Sequence, residues 1–483
     1  MLAVKQLGVF VGETRLLGPI DFEIEAGSTL VIMGETGAGK SLIAQSLMGN
    51  LPSSLSREGA IAWQGKRLDK LPEDEVESLW GREIALLPQE PWLALDPIMP
   101  AFYQVEETHH LVSGVPKATA REKTQDDFQR IGLQGSEHRR PGELSGGMNQ
   151  RVAFAATVAG HAKLLLVDEP TKGLDLERSQ YIVAQLKQLQ ASGSAIIVIT
   201  HSVETAREIG GELIVLREGV CVERDQSENV LNSPQHEYTQ RLVDSDPSRW
   251  TPVETDKSDH VVLKVRDLSA GHRRTPLIEN FDLTLFAGER VALTGPSGIG
   301  KTTLLDTLSG LIPQLKGFLE KGSSVGRTGI QKIFQDPPTA FVEHVNLKTS
   351  LLDVAKLHDI DWSEIEQLLK ELQIDLAMLE RRPSEVSGGE LQRIAIARAL
   401  SVKPAILLAD EPTSRLDPLT QQETMALLGS SCAASNTSVV LVTHDGVLAE
   451  KWSDRVIDVS NFIADSDNEQ VIRGVSKREQ RGR

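Results

Sequence analysis

Hydrophobic positions along this chain gather into short uninterrupted runs: "STLVIM" at 28–33, "LLLV" at 164–167, "AIIVI" at 195–199, "VVLKV" at 261–265 and "RVALT" at 290–294. Each is far shorter than the roughly 18 apolar residues that a membrane-crossing helix needs. Runs of this length without alternation predict strands buried on both faces of a parallel sheet. Between them, "MPAFYQVEETHHLVSGVPKATAREKTQDDFQRIGL" (99–133) and "LLDVAKLHDIDWSEIEQLLKELQI" (351–374) mix apolar and charged positions and read mostly as helix. Strand-like and helical segments alternate in both halves, which predicts an α/β fold with crossover helices. The two long helical stretches predict a small helical subdomain inserted into each α/β core.

The halves repeat one another in order. "GETGAGKS" at 34–41 returns as "GPSGIGKT" at 295–302, and "LSGGMNQR" at 144–151 as "VSGGELQR" at 386–393. "LLLVDEPTKGLD" at 164–175 returns as "ILLADEPTSRLD" at 406–417, and "VITH" at 198–201 as "LVTH" at 441–444. A glutamine after an apolar run and before an acid–proline pair also occurs twice, Gln89 in "LLPQEPWLALDP" and Gln335 in "IFQDPPTAF". Such self-similarity predicts a duplicated unit, with a shorter stretch between glycine-rich loop and glutamine in the second copy. The polar, proline-bearing "DSDPSRWTPVETDKSDH" at 244–260 predicts the seam. The expected organisation is a first domain over 1–245, a linker over 246–260, a second domain over 261–465 and a polar, disordered tail over 466–483.

Composition narrows the function classes. The 483 residues are 40% hydrophobic and 25% charged, ordinary for a soluble globular chain with room for several cores. The start "MLAVKQLGVFVGETRLLG" lacks the basic head and long apolar core of a signal peptide. Two cysteines, Cys221 and Cys432, make neither a disulfide framework nor a four-thiolate metal site. A formal charge of −17, with no basic run before the last residues, argues against a nucleic-acid partner, since such binding relies on phosphate neutralisation. The expected location is cytoplasmic.

The repeated motifs carry chemistry. G-x-x-x-x-G-K-[S/T] lets backbone N–H groups wrap phosphates, extends a lysine to the outer phosphate oxygens, and offers a hydroxyl to Mg2+. The expected phosphate loops are therefore Gly34, Glu35, Thr36, Gly37, Ala38, Gly39, Lys40, Ser41 and Leu42, and Gly295, Pro296, Ser297, Gly298, Ile299, Gly300, Lys301, Thr302 and Thr303. Asp168 and Asp410 end apolar strands at the sheet edge where ligands collect, and suit Mg2+ coordination through water. The adjacent Glu169 and Glu411 can polarise an attacking water, and His201 and His444 can sense the terminal phosphate. A lone acidic turn or a lone histidine reads as structural; two copies in register do not.

With these motifs in view the chain resembles a tandem pair of ATP-binding-cassette (ABC) nucleotide-binding domains over both halves, the "SGG" signature being the distinguishing element. The resemblance implies a P-loop NTPase fold, each cassette having a RecA-like α/β core, a β-subdomain and a helical subdomain. It further implies ATP hydrolysis with Mg2+, and two composite sites. One would combine Lys40, Ser41, Gln89, Asp168, Glu169 and His201 with Ser387, Gly388 and Gly389. The other would combine Lys301, Thr302, Gln335, Asp410, Glu411 and His444 with Ser145, Gly146 and Gly147. Gln89 and Gln335 match the family's Q-loop, whose glutamine approaches Mg2+ and the attacking water. Trp92, Leu93 and Phe341, just beyond, either meet a membrane partner or cover the helical subdomain's own core.

Three stretches resemble the peptide/nickel group of ABC importers: "GREIALLPQEPWLALDP" at 81–97, "ELSGGMNQRV" at 143–152 and "SPQHEYTQRLVDSDP" at 233–247. That group implies two membrane-spanning permease subunits as partners, indirectly an extracytoplasmic substrate-binding protein, and peripheral placement on the cytoplasmic face of the inner membrane. Peptide, nickel or a metal-chelate-like solute is the implied cargo. Some positions depart from the family pattern. The adenine-stacking position falls near Val11 and Phe10 in the first half and at His272 in the second. Met148 and Glu390 stand where glutamine is common, Val386 replaces a leucine, and Lys172, Gly173 and Arg415 occupy the D-loops. None removes a catalytic group, so both sites are expected to hydrolyse ATP. The alternative is a soluble ABC ATPase acting on ribosomes or nucleic acid, disfavoured by the short seam and the acidic balance.

Overall fold

The computed structural model describes residues 1–464 except 90, 172–173, 175, 253–257 and 273–274; the side chains of Trp92, Leu176 and Glu177 also lie outside the described residues. The chain divides into two compact units, Met1–Asp246 and Pro247–Arg483.

In the first unit the apolar runs form the parallel sheet that their patterning predicts. Among the described residues its order is Val220–Gln226, Glu212–Arg217, Thr29–Met33, Ala195–Thr200, Leu164–Asp168 and Ile84–Leu87. All neighbours are parallel except the first pair, which forms an antiparallel hairpin. Thr29–Met33 is buried at every position, which is why its sequence shows no polar alternation. An antiparallel sheet, ordered Thr14–Ile24, Leu2–Val11, Leu55–Trp63 and Lys66–Arg67, packs beside it and shares its core through Leu7, Phe22, Ile32 and Ile43. The helical segment has its own core, in which Phe102, Val105 and Phe128 meet Val152 of the helix Gly146–Val158.

The second unit repeats the plan. Its five-stranded sheet among the described residues runs Ile330–Ile333, Ile406–Asp410, Ser438–Val442, Arg290–Thr294 and Arg455–Asp458, all parallel. A three-stranded antiparallel sheet covers one side, and helices Leu347–His358 and Trp362–Glu371 form the helical part. Pro247–Arg249 forms a short 3-10 turn, and the apolar indole of Trp250 packs against the second unit's core. The tail expected over 466–483 lies outside the described residues.

Candidate active site

Each parallel sheet delivers its motif residues to one edge. The strand Thr29–Met33 leads through the glycine-rich loop into the helix Lys40–Met48, and Arg290–Thr294 leads likewise into Lys301–Ser309. The residues before these helices, Gly39 and Gly300, have φ of 92° and 109°. That conformation is costly for residues with a Cβ, and it falls directly before the helix N-terminus, where anions are favoured. Lys40 Nζ donates to the carbonyls of Gly34 (2.7 Å) and Glu35 (2.9 Å), and Lys301 Nζ to those of Gly295 (2.7 Å) and Pro296 (2.9 Å). Both lysines are thus held over their own loops.

Ser41 Oγ donates to Asp168 Oδ2 at 3.0 Å, and Thr302 Oγ1 to Asp410 Oδ1 at 3.3 Å. A hydroxyl beside a carboxylate is a hard-oxygen donor pair suited to Mg2+. Among the described residues no three His, Cys, Asp or Glu side chains gather as a metal cluster. The donor set therefore fits an ion that completes its shell with phosphate and water oxygens. Burial pushes the Asp410 carboxyl up from its ordinary value, against the pull of the Lys332 ammonium.

The two following glutamates share an unusual backbone. Glu169 has φ 51° and Glu411 φ 44°, left-handed values uncommon outside glycine and recurrent at functional positions. Each is pinned by its amide, Glu169 to the Ile199 carbonyl (2.8 Å) and Glu411 to the Val442 carbonyl (3.0 Å). His201 Nδ1 lies 2.6 Å from Glu169 Oε1, and His444 Nδ1 lies 3.5 Å from Glu411 Oε2. Gln335 Nε2 donates to Glu411 Oε2 at 2.8 Å. Burial alone would raise the Glu411 carboxyl, but the His444, Lys301 and Gln335 contacts bring it below its ordinary value. Burial would likewise lower the His444 imidazole, and its bond to Glu411 carries it above the ordinary value instead. A carboxylate held beside a histidine in this way can accept a proton from water and pass charge to its neighbour.

Within each unit the signature serine caps its helix. Ser145 accepts from the Met148 amide, and Ser387 accepts from the Glu390 amide. In the second copy the Glu390 carboxylate also takes the Ser387 amide (2.8 Å) and hydroxyl (2.7 Å), closing a capping box. The Glu390 departure noted in the sequence thus engages the donors that Ser387 would offer an anion. His272 Nε2 stands 3.2 Å from Thr303 Oγ1 beside the phosphate loop, while Phe10 lies under the Arg15 guanidinium, 5.4 Å from its ring centroid.

Beyond Gln89 and Gln335, Leu93 and Ile98 are exposed (72% and 75%), whereas Phe341 packs partly on the helical core of its unit. The Trp92 side chain, Lys172 and Gly173 lie outside the described residues. Arg415 is ion-paired to Asp336 at 2.8 Å. The motif spacing did not point to Tyr238, whose hydroxyl accepts from the Glu35 amide at 2.9 Å. It sits in "HEYTQ", a segment notable beforehand only for its resemblance to a subgroup tail.

The profile described as "ABC transporter" matches residues 17–172 and 278–414. The chain is 32% identical to the peptidoglycan transport ATP-binding protein YejF of Agrobacterium fabrum, over 92% of this chain and 88% of that protein. It is 27% identical to the glutathione import ATP-binding protein GsiA of Pectobacterium atrosepticum, over 94% of this chain and 84% of that one. Among solved structures, the archaeal ribosome recycling factor aABCE1 in complex with stalk protein aP1 matches with a TM-score of 0.65 at 21% identity. It covers 90% of this chain and 84% of that one, a likeness of fold alone.

Proposed function

This chain belongs to the ABC transporter family of ATP-binding proteins and is an ATPase, and from that premise we propose that it powers a solute importer. The observation that carries the reading is similarity along nearly the whole chain, both cassettes included, to ATP-binding proteins named for peptidoglycan transport and glutathione import. Among the described residues no helix is long and apolar enough to cross a membrane. In this reading two separate membrane subunits carry the solute, an extracytoplasmic binding protein delivers it, and this chain attaches peripherally to the membrane's cytoplasmic face. The cargo is a small peptide or peptide-like solute, with nickel or a metal chelate as the other members of the class.

Lys40 and Lys301 leave their loop carbonyls to meet phosphate oxygens. Ser41 with Asp168, and Thr302 with Asp410, would hold Mg2+, and Gln89 and Gln335 would approach it. Bound Mg2+ supplies neutralisation of phosphate charge. Glu169 and Glu411 orient the attacking water and take its proton, and His201 and His444 hold those carboxylates in place. The resemblance pairs Ser387, Gly388 and Gly389 with the nucleotide of Lys40, and Ser145, Gly146 and Gly147 with that of Lys301. The test is nucleotide occupancy in Lys40→Ala and Lys301→Ala together with ATP-driven uptake in vesicles carrying the membrane subunits. The reading expects each variant to weaken one site and lower uptake; uptake unaffected by both would contradict it.

A further inference from the structure

We propose that the second unit holds a binding site for a small neutral molecule with an apolar body and a carbonyl oxygen. The site lies between the loop of Gln335, the helix that Ser387 caps and the loop that follows Glu411. It stands apart from the importer reading and does not depend on it.

A cavity of about 190 Å3 lies within this unit. One water needs roughly 15 Å3, so a molecule of several heavy atoms fits. The walls are apolar, with Pro337, Pro383, Val386, Leu391, Pro412 and Leu416 lining them. The ionisable side chains at the cavity are Asp336 and Arg415, which cancel in an ion pair of 2.8 Å. Taking a net charge out of water against such walls is costly, which selects a neutral occupant.

Gln392 also lines the cavity. It is 1% exposed, and among the described residues its Nε2 meets no hydrogen-bond acceptor. A buried donor left unpaired is costly. The first unit shows where such a donor goes when the chain supplies an acceptor. Gln150 follows Ser145 as Gln392 follows Ser387, and its Nε2 donates to the Pro170 carbonyl at 3.0 Å. Pro412 is the counterpart of Pro170, each following its glutamate, yet Gln392 makes no such bond. The neighbouring wall differs as well. Asn149 of the first unit donates to the Pro141 carbonyl at 2.9 Å, and Leu391 stands at that place in the second.

Water is held well only where two to four polar groups converge. These walls are chiefly proline, leucine and valine, so an apolar body carrying one acceptor oxygen fits them better. An apolar lining with a single placed polar group is the pattern of small-molecule sites. The position also bears on hydrolysis. Gln335 lines the cavity, and its Nε2 donates to Glu411 Oε2 at 2.8 Å. An occupant that bridges the three segments holds this bond closed, which leaves Glu411 less free to take a proton from water. Occupancy therefore slows turnover at the second site.

The probe is N-acetyl-leucinamide, titrated into the full chain and followed by saturation-transfer NMR. Wild type is expected to bind it. Gln392→Leu keeps the volume and removes the donor, and is expected to bind about tenfold more weakly. Val386→Trp fills the cavity from its wall and is expected to lose binding; if it does not fold, Gln392→Leu carries the test. Thermal unfolding gives a second readout. The Gln392 donor is unspent in the free chain, so Gln392→Leu is expected to leave the melting temperature unchanged or raise it. Gln150→Leu strips the Pro170 carbonyl of its donor and is expected to lower it. ATP turnover by wild type is expected to fall as the probe binds. No binding by wild type up to the probe's solubility, or equal binding by wild type and Gln392→Leu, would overturn the site. An equal loss of melting temperature in Gln392→Leu and Gln150→Leu would also overturn it, because the amide would then be spent within the chain. Binding without a change in turnover would overturn the link to Glu411.

Discussion

The amide of Glu35, in the first phosphate loop, donates to the hydroxyl of Tyr238 at 2.9 Å across 203 positions of sequence. Tyr238 is 2% exposed, and the Arg217 guanidinium lies over its ring at 5.3 Å. The short helix Glu237–Asp244 therefore braces the loop that is to hold a nucleotide. Tyr238→Phe keeps the ring and removes the acceptor. A hydrogen bond of this kind is worth about 1 kcal/mol net, so nucleotide affinity at the first site should fall by about fivefold. Titration with a fluorescent nucleotide reads this, with the second site as internal reference. An equal loss at both sites would point to general destabilisation instead.

Glu169→Gln and Glu411→Gln should each slow hydrolysis at one site while leaving ATP binding in place. A positioned base contributes about 10²–10⁴-fold, and glutamine keeps the shape while losing the charge. Single-turnover hydrolysis alongside nucleotide retention separates the two effects. Wild-type turnover by the double variant would contradict the role given to these glutamates.

The Glu411–His444 pair gives the second unit a pH signature. The raised His444 contributes stability fully present below its ordinary value of 6.5 and lost as pH climbs through the raised value. The lowered Glu411 contributes stability present above its ordinary value of 4.5 and lost as pH falls through the lowered one. The pair is therefore most stabilising between 4.5 and 6.5. Thermal unfolding of His444→Ala against wild type should show its largest difference inside that window and a smaller one well above it. A difference that grows with rising pH would contradict the paired state.

Leu93→Asp and Ile98→Asp should leave the melting temperature nearly unchanged, because both side chains are already in water. Their recovery with membrane subunits should fall. Phe341→Ala, by contrast, should cost stability, since that ring packs partly on its own helical core.

Much of this was legible in the sequence because the chemistry sits at strand ends. Asp168 and Asp410 close runs of leucine, and a buried strand leaves no other place for a carboxylate than its edge. Repetition drew attention to the glycine-rich loops, the Ser-Gly-Gly segments and the histidines together. What escaped was pairing between distant positions. Tyr238 and Glu35 are adjacent only because the sheet brings the tail helix beside the loop. Lys332 belongs to no repeated motif, and only the folded strand brings its ammonium to 3.2 Å from Asp410. The capping by Glu390 is legible as the S-x-x-E pattern of Ser387 to Glu390, but against the family pattern the position reads only as a departure. Trp250 was hidden in a segment whose polarity suggested solvent, although one indole suffices to anchor it.

The most direct test of the central claim is to purify the chain from its native membrane in mild detergent and identify what accompanies it. Two polytopic membrane subunits in equal ratio with this chain, released together and stimulating its ATPase when solute-loaded binding protein is added, are the predicted result. Recovery with ribosomes or nucleic acid and no membrane protein would contradict the importer reading.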